Sequence, residues 1–371
     1  MVYMIDEIEL DCKPRERVVS KLPVHSGDIE MSEFDSGFLC GLIQKFRPRK
    51  FLELGVASGG TTAIILQCLA DLQLDCEIHS VDISPKLYSD STKETGYLGI
   101  QMKTILPPMY HKFYIGHGIP YFLSEIGAEI DFLLLDTSHF MPGEVLDFIE
   151  ILPYLTDSAV VCIHDIAISQ APRFHMAHAC SVLFQSVTAK KIMNFLPNRG
   201  YPNIAAFQIT SETRKNIMDV FCALTMRWNY VPAANEMERY KNLIQEKYPA
   251  HCLDVYDEAV RRAIYWNERD VLSLFPAGSK IALYGAGHRG RYVFKILLDS
   301  GTLAVVKWVD RNYADLRSCH GMEICSPDSL KGTTFDYVLV TVMRTGVVLE
   351  IYENLNALGI PFEKIRFLEV F

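Results

Sequence analysis

The sequence predicts an α/β protein built from two doubly wound, mainly parallel sheets joined by helices. Two stretches and one pattern carry that prediction. Residues 51–66 (FLELGVASGGTTAIIL) run from an apolar strand into an acid, then glycines, then a helical segment. Residues 281–294 (IALYGAGHRGRYVF) repeat the same grammar near the other end. Around both, short apolar runs alternate with segments of helical periodicity, the order of strand–helix–strand crossovers. A chain of 371 residues has room for two such domains.

The elements follow in order. Phe38, Leu39, Leu42 and Ile43 recur at helical spacing within 36–46, and Pro48 stops that helix before a strand at 50–54. A helix at 61–72, a strand at 77–81 and a polar stretch at 84–99 come next. Strands are expected at 112–114, 131–135 and 159–163, with helices near 119–126 and at 142–152. Residues 192–209 continue as strand, ending in AAFQIT. From 212 to 275 the chain is charged, with apolar residues at helical spacing, including Val220, Phe221 and Leu224, then Val255, Ala259 and Ala263. The second unit has strands at 281–284, 305–309 and 337–342, and helices at 289–299 and 347–358. The expected domains are 1–211, a helical linker at 212–275, and 276–371.

Composition narrows the function. Hydrophobic residues make up 49% and charged residues 22%, which suits globular cores and excludes disorder. A formal net charge of −9 without a long basic run argues against nucleic-acid binding. The first 19 residues are too acidic and too weakly apolar for a secretory signal, and no apolar stretch is long enough to span a membrane. Ten cysteines without a CxxC pair read as reduced, buried thiols of a cytoplasmic protein.

The first glycine loop has a chemical signature. A helix N-terminus behind glycines offers free backbone N–H groups and partial positive charge. A phosphate loop of the Walker type needs Lys and Ser/Thr after the last glycine, whereas Gly60 is followed by Thr61 and Thr62; ATP and GTP are disfavoured. Glu53 at the strand tip would repel a pyrophosphate but suits a cationic ligand. Asp82, at the end of the next strand, can hold both hydroxyls of a ribose. Together they describe a positively charged nucleoside, and S-adenosylmethionine fits.

FLELGVASGGTT, then HSVDIS, then IDFLLLDTSHFMPGEVLDF resemble the class I S-adenosylmethionine-dependent methyltransferases. Within them the chain is similar to the metal-assisted O-methyltransferases, notably the branch that methylates sugar hydroxyls. The resemblance covers roughly 30–210. It implies that Glu53, Gly55, Ala57, Ser58, Gly59 and Gly60 line the methionine and ribose portions, that Asp82 holds the ribose, and that Gly116 and His117 lie near the adenine.

Asp136 follows the strand DFLLL, with His139 three residues on; His164 and Asp165 follow AVVCI. In an open α/β sheet the carboxyl ends of strands face the ligand crevice, so these acids can converge. Asp136 and Asp165, with His164 beside them, form a candidate site for Mg²⁺ or Mn²⁺, and His139 is the candidate base. The sugar-methylating relatives carry two acids where this chain has His164–Asp165, a departure that either weakens magnesium affinity or admits a softer metal such as Mn²⁺. His175 and His178 would share a face if their segment were helical. Tyr88 with 87–102, and the segment 171–181, are candidate acceptor lids.

The second loop, GAGHRG, has Gly285, Gly287 and Gly290 in dinucleotide spacing, with Asp310 ending the next strand. His288 and Arg289 are placed to meet phosphates. The unit is too short for a dehydrogenase with its own substrate domain. It resembles the small Rossmann-like domains of bacterial sugar-modifying and polysaccharide-biosynthesis proteins, which implies a nucleotide, nucleotide-sugar or NAD ligand, or a glycine turn kept for packing. The leading function is a methyltransferase acting on a sugar or other small hydroxylated acceptor. An NAD(P)-linked oxidoreductase and a noncatalytic assembly protein are the alternatives, and the 212–275 helices offer surface for homo-oligomer formation.

Overall fold

A computed structural model describes residues 6–24, 27–88, 90, 92–196, 201–316, 318–319, 321–342 and 345–368. The chain divides into two compact units, 1–228 with 232–259, and 229–231 with 260–371.

The first unit holds seven strands: β1 (Lys50–Leu54), β2 (Glu77–Asp82), β3 (His111–Ile115), β4 (Ile130–Leu135), β5 (Leu155–His164), β6 (Lys190–Ile192) and β7 (Ile204–Gln208). Their order is β3-β2-β1-β4-β5-β7-β6. The first five are parallel, and β7 runs antiparallel to both its neighbours. Strand order reverses between β1 and β4, so the ligand crevice of such a sheet opens at their carboxyl ends. Near-continuous apolar runs form these strands because helices cover both faces. Phe51, Ile78, Phe132 and Val160 pack against Phe38, Leu42, Ile64 and Leu66 of helices Glu33–Phe46 and Gly60–Asp71. Phe51 and Phe132 stack with centroids 4.6 Å apart. Burying each such side chain contributes about 1.5–3 kcal/mol before entropy is counted.

The second unit has six strands: β8 (Lys280–Tyr284), β9 (Ala304–Val309), β10 (Ser318–Cys319), β11 (Met322–Cys325), β12 (Tyr337–Val340) and β13 (Ile365–Phe367), ordered β10-β11-β9-β8-β12-β13. All neighbours are parallel except β10 with β11. Alternation along β8 splits the core in two. Ile281 and Leu283 join helix His288–Ser300 on one face, while Ala282 and Tyr284 join helix Thr345–Ala357 on the other.

Several expectations change. The polar stretch at 84–99 runs into a helix, Tyr97–Ile105, whose Leu98 and Met102 are buried. Residues 192–209 are not one strand but parts of β6 and β7; 197–200 lie outside the described residues. His175 and His178 share no helical face: a short 3-10 turn, Pro172–Phe174, precedes them, and the helix Ala179–Ser186 begins only after His178. The region expected as a linker is helical at Ser211–Lys215, Met218–Ala223, Ala234–Lys247 and Ala250–Ser273, and the border between the two units falls within the last of these helices. Among the described residues, no helix is long and apolar enough to cross a membrane.

Candidate active site

The donor loop is shaped by two close approaches. Gly55 has φ +88°, and a Cβ there would lie 1.8 Å from the Asp136 carbonyl oxygen. Gly59, at φ +79°, abuts the Gly96 backbone. Both positions need glycine, since a left-handed φ and a missing side chain are required together. Ala57 also takes a left-handed φ of +48°. Asp82 fastens the loop: its Oδ2 accepts from the N–H groups of Val56 (2.9 Å) and Ala57 (3.1 Å), and Oδ1 accepts from Ser84 N–H (2.8 Å). Ser58 Oγ accepts from Gly60 N–H at 3.1 Å and donates to the Asp28 carbonyl.

Glu53 lies beneath the loop, with no exposed surface. It accepts from Thr62 Oγ1 (2.8 Å) and Ser80 Oγ (2.5 Å). Burial raises its carboxyl to about 7, against the opposing pull of those two hydroxyls. These bonds tie Glu53 to the first turn of helix Gly60–Asp71 and to β2. At the end of β3, Gly116 takes φ +101°, and the His117 ring stacks on Tyr121 at 4.5 Å, beneath which Arg239 lies 3.6 Å from the ring centroid. These groups present a flat surface of the kind a nucleobase stacks on.

The ends of β4 and β5 bring the charged residues together. Asp136, His139 and Asp165 each supply a donor atom within 4.8 Å of the others. His139 Nε2 lies 3.2 Å from Asp165 Oδ2 and 3.9 Å from Asp136 Oδ1. His139 and Asp165 both hold left-handed φ values, +64° and +59°. Non-glycine residues rarely adopt that conformation, and strain of this kind concentrates where function demands a geometry. Asn203 steadies Asp165 by donating from Nδ2 to Oδ1 at 2.6 Å.

Behind His139 sits Glu144, fully buried at the start of helix Gly143–Ile151. Its Oε1 accepts from His139 N–H (2.6 Å) and Thr137 Oγ1 (3.0 Å) and lies 3.4 Å from His139 Nδ1. Burial alone would lower the His139 pKa, but Glu144, Asp136 and Asp165 together raise it to about 9. With Glu144 on Nδ1, the ring directs Nε2 toward the two aspartates.

His164 borders the same cluster from the other side. Its Nδ1 is 3.2 Å from Asp136 Oδ1 and 3.7 Å from Asp165 Oδ2, and its Nε2 is 3.5 Å from Asp35 Oδ2. Burial opposes its charge, yet Asp136, Asp35 and Asp165 raise its pKa well above the ordinary value.

Tyr88 donates to Glu30, whose carboxyl is raised by desolvation and, more weakly, by the charges of Asp136 and Asp165. That links the 87–102 segment to the mouth of the cluster. Glu144, Asp35, Asn203 and Glu30 escaped the sequence reading. For Glu144 a signal existed: acids at 144, 147 and 150 interrupt one apolar helix at three-residue spacing, with Glu144 and Glu150 buried and Asp147 half-buried.

In the second unit, Asp310 Oδ2 accepts from Ala286 N–H at 2.7 Å, as Asp82 does in the first. Gly285 takes φ +107° with its carbonyl held by Trp308 Nε1 at 2.8 Å, and a Cβ on Gly290 would meet that carbonyl at 2.1 Å. Gly287 faces open space. Arg289 lines a cavity in which none of these loop glycines takes part; the His288 side chain lies outside the described residues.

Comparison with known proteins matches two segments of the chain. Residues 52–166 match a family described as "Methyltransferase domain", and residues 277–366 match one described as "C2185-like, N-terminal". No curated protein matches the chain. Similar solved structures include the cofactor-bound Rv0187 from MTB, at 15% identity over 53% of this chain and 86% of that one, with a TM-score of 0.38. Another is the O-methyltransferase TomG from Streptomyces achromogenes in complex with SAM, at 16% identity over 55% and 92%, with a TM-score of 0.37. A third is an O-methyltransferase from Bacillus cereus in complex with SAH, at 14% identity over 53% and 91%, with a TM-score of 0.38. Over the segment that carries the glycine loop, Asp82, Asp136 and Asp165, residues 52–166 thus match the methyltransferase-domain family.

Proposed function

We propose that the first unit is an O-methyltransferase for a sugar or another hydroxylated metabolite, and that Asp136 and Asp165 hold a divalent cation for it. One observation carries the reading. The Asp136 backbone lies directly against Gly55 of the donor loop, and its side chain faces His139 and Asp165. The donor's methyl group and the acidic cluster thereby share one crevice. The donor set fits a hard cation, because two carboxylates converge there with room for acceptor oxygens. When bound, such an ion supplies Lewis acidity that lowers the pKa of an acceptor hydroxyl.

The chain's own groups do the rest. Asp82 holds the ribose, and the side-chain-free turn of the glycine loop leaves room for the methionine portion. His117, backed by Tyr121, provides the stacking surface for adenine. Glu144 keeps His139 oriented, so that Nε2 takes the acceptor proton once the aspartate charges are compensated. His164, paired with Asp35 and Asp136, limits the repulsion between buried acids while no cation is bound. In the second unit, the loop at Gly285, Gly287 and Gly290 with Asp310 is the proposed seat of a nucleotide or nucleotide-sugar.

The test is a methyl-transfer assay over a panel of sugar and phenolic acceptors, with Mg²⁺ or Mn²⁺ and with chelator. Chelation and Asp165→Asn should each abolish most turnover and leave S-adenosylmethionine binding intact. His139→Ala should slow transfer by about 10²–10⁴-fold, the range for a positioned general base. Full turnover in chelator would remove the cation, and full turnover in the His139 variant would remove the base.

A further inference from the structure

A cavity of about 110 Å³ opens in the second unit, and every residue that lines it belongs to that unit. Its walls are mostly apolar, with Val271, Val293 and Leu368 among them, and its polar groups include Arg289, Tyr292 and Asn267. Arg289 and Tyr292 stand three residues apart on helix His288–Ser300, and so on one face.

Two polar atoms of this wall are orphans. Arg289 Nη1 and the Tyr292 hydroxyl are buried, and neither has a hydrogen-bond partner among the described residues. Burial pulls the Arg289 guanidinium down to about 10, with no carboxylate acting on it to offset the shift. Asn267 spends one donor on the Ala263 carbonyl, at 2.9 Å, and keeps its side-chain oxygen and a second N–H. Both side chains are half-buried, yet a desolvated guanidinium nitrogen without a counter-ion is costly to keep, as is a desolvated hydroxyl without a partner. Both costs vanish if an anion enters the cavity.

The chemistry of the walls selects the anion. A guanidinium fork matches the two oxygens of a carboxylate, and a phenol hydroxyl adds a third donor. A phosphate dianion would require more donors and charge than one arginine and one tyrosine supply. The valine and leucine surface calls for an apolar body. A cavity of about 150 Å³ accommodates benzene, so this one suits an acid of roughly four to six carbons.

We propose that the second unit binds a small organic monocarboxylate in this cavity, its carboxylate on Arg289 and Tyr292 and its apolar body against Val271, Val293 and Leu368. No glycine of the loop lines this cavity, although Arg289 belongs to the GAGHRG stretch, and the test uses neither a nucleotide nor methyl transfer.

The experiment is calorimetric titration of the full chain with butyrate and isovalerate, the neutral amides of both, and inorganic phosphate. At least one carboxylate should bind saturably, at least tenfold tighter than its amide and than phosphate. Arg289→Met should weaken that binding at least tenfold, while its ligand-free melting temperature stays equal or rises, because an unpaired buried charge has gone. Tyr292→Phe should weaken it severalfold. S-adenosylhomocysteine affinity should be unchanged in both variants. Absence of carboxylate binding would mean that water fills the cavity, and would overturn the site. Amide binding equal to that of the acid would also overturn it, as would tighter binding of phosphate. A markedly lower melting temperature, or failure to fold, in Arg289→Met would mark the arginine as structural; unchanged affinity in Tyr292→Phe would overturn the assigned pose.

Discussion

Asp82 does two things at once. It caps the glycine loop through Val56 and Ala57 N–H, and in the proposed site its remaining lone pairs receive the ribose hydroxyls. Asp82→Ala should therefore weaken S-adenosylhomocysteine by about 1.5–3 kcal/mol, the worth of a charge-assisted hydrogen bond, as read by calorimetry. Unchanged affinity in a folded variant would take Asp82 out of the site. His139 yields a pH prediction. Its folded pKa is raised from 6.5 to about 9, since its three carboxylate neighbours outweigh burial. A raised basic group stabilises fully below its unfolded pKa and loses that contribution as pH climbs through the folded value. In chelator, the melting temperature should fall between pH 6.5 and 9, and His139→Gln should flatten part of that fall; parallel curves for the two proteins would count against the ion cluster. At this scale Asp136, His139 and Asp165 were legible, because a residue just after an apolar run sits at a strand tip. Glu144 was less so: its contact with His139 depends on where helix Gly143–Ile151 starts.

Among elements, the two strand–loop–helix units look alike in sequence but have different steric demands. In the second loop, Gly290 allows its helix to pass against the Gly285 carbonyl, whereas Gly287 borders empty space. Gly290→Ala should unfold or strongly destabilise the second unit, by more than about 3 kcal/mol in chemical denaturation, because backbone must move. Gly287→Ala should cost little stability, and any loss of nucleotide binding it causes would then report on the loop itself. Equal costs for the two would contradict the packing described. The helix at Tyr97–Ile105 shows where local reading failed. It begins after Gly96, whose backbone the Gly59 turn abuts, so its start is set by a tertiary contact.

On the scale of the whole molecule, the two units have separate cores, one around Phe51 and Phe132, the other around Leu283 and Trp308. Hydrogen exchange with saturating S-adenosylhomocysteine should show new protection at 55–60, 82–84 and 116–117 and none in 280–368. Protection spreading across the second sheet would reveal coupling between the units.

Sequence by itself determined the two α/β sheets, the donor loop and the strand-tip acids. These rest on periodicity of two and 3.6 and on glycines whose backbone no other residue can adopt. It could not determine which histidine would sit among which acids, because His139 and His164 are equivalent until strand order is known. Only the tertiary structure decided that β4 and β5 lie side by side, that Glu144 backs His139 while Asp35 faces His164, and that Arg289 turns into a cavity of its own. The physical reason is common to all three. Each depends on electrostatic contacts between residues distant in the chain, and such contacts exist only after the sheets and helices have packed.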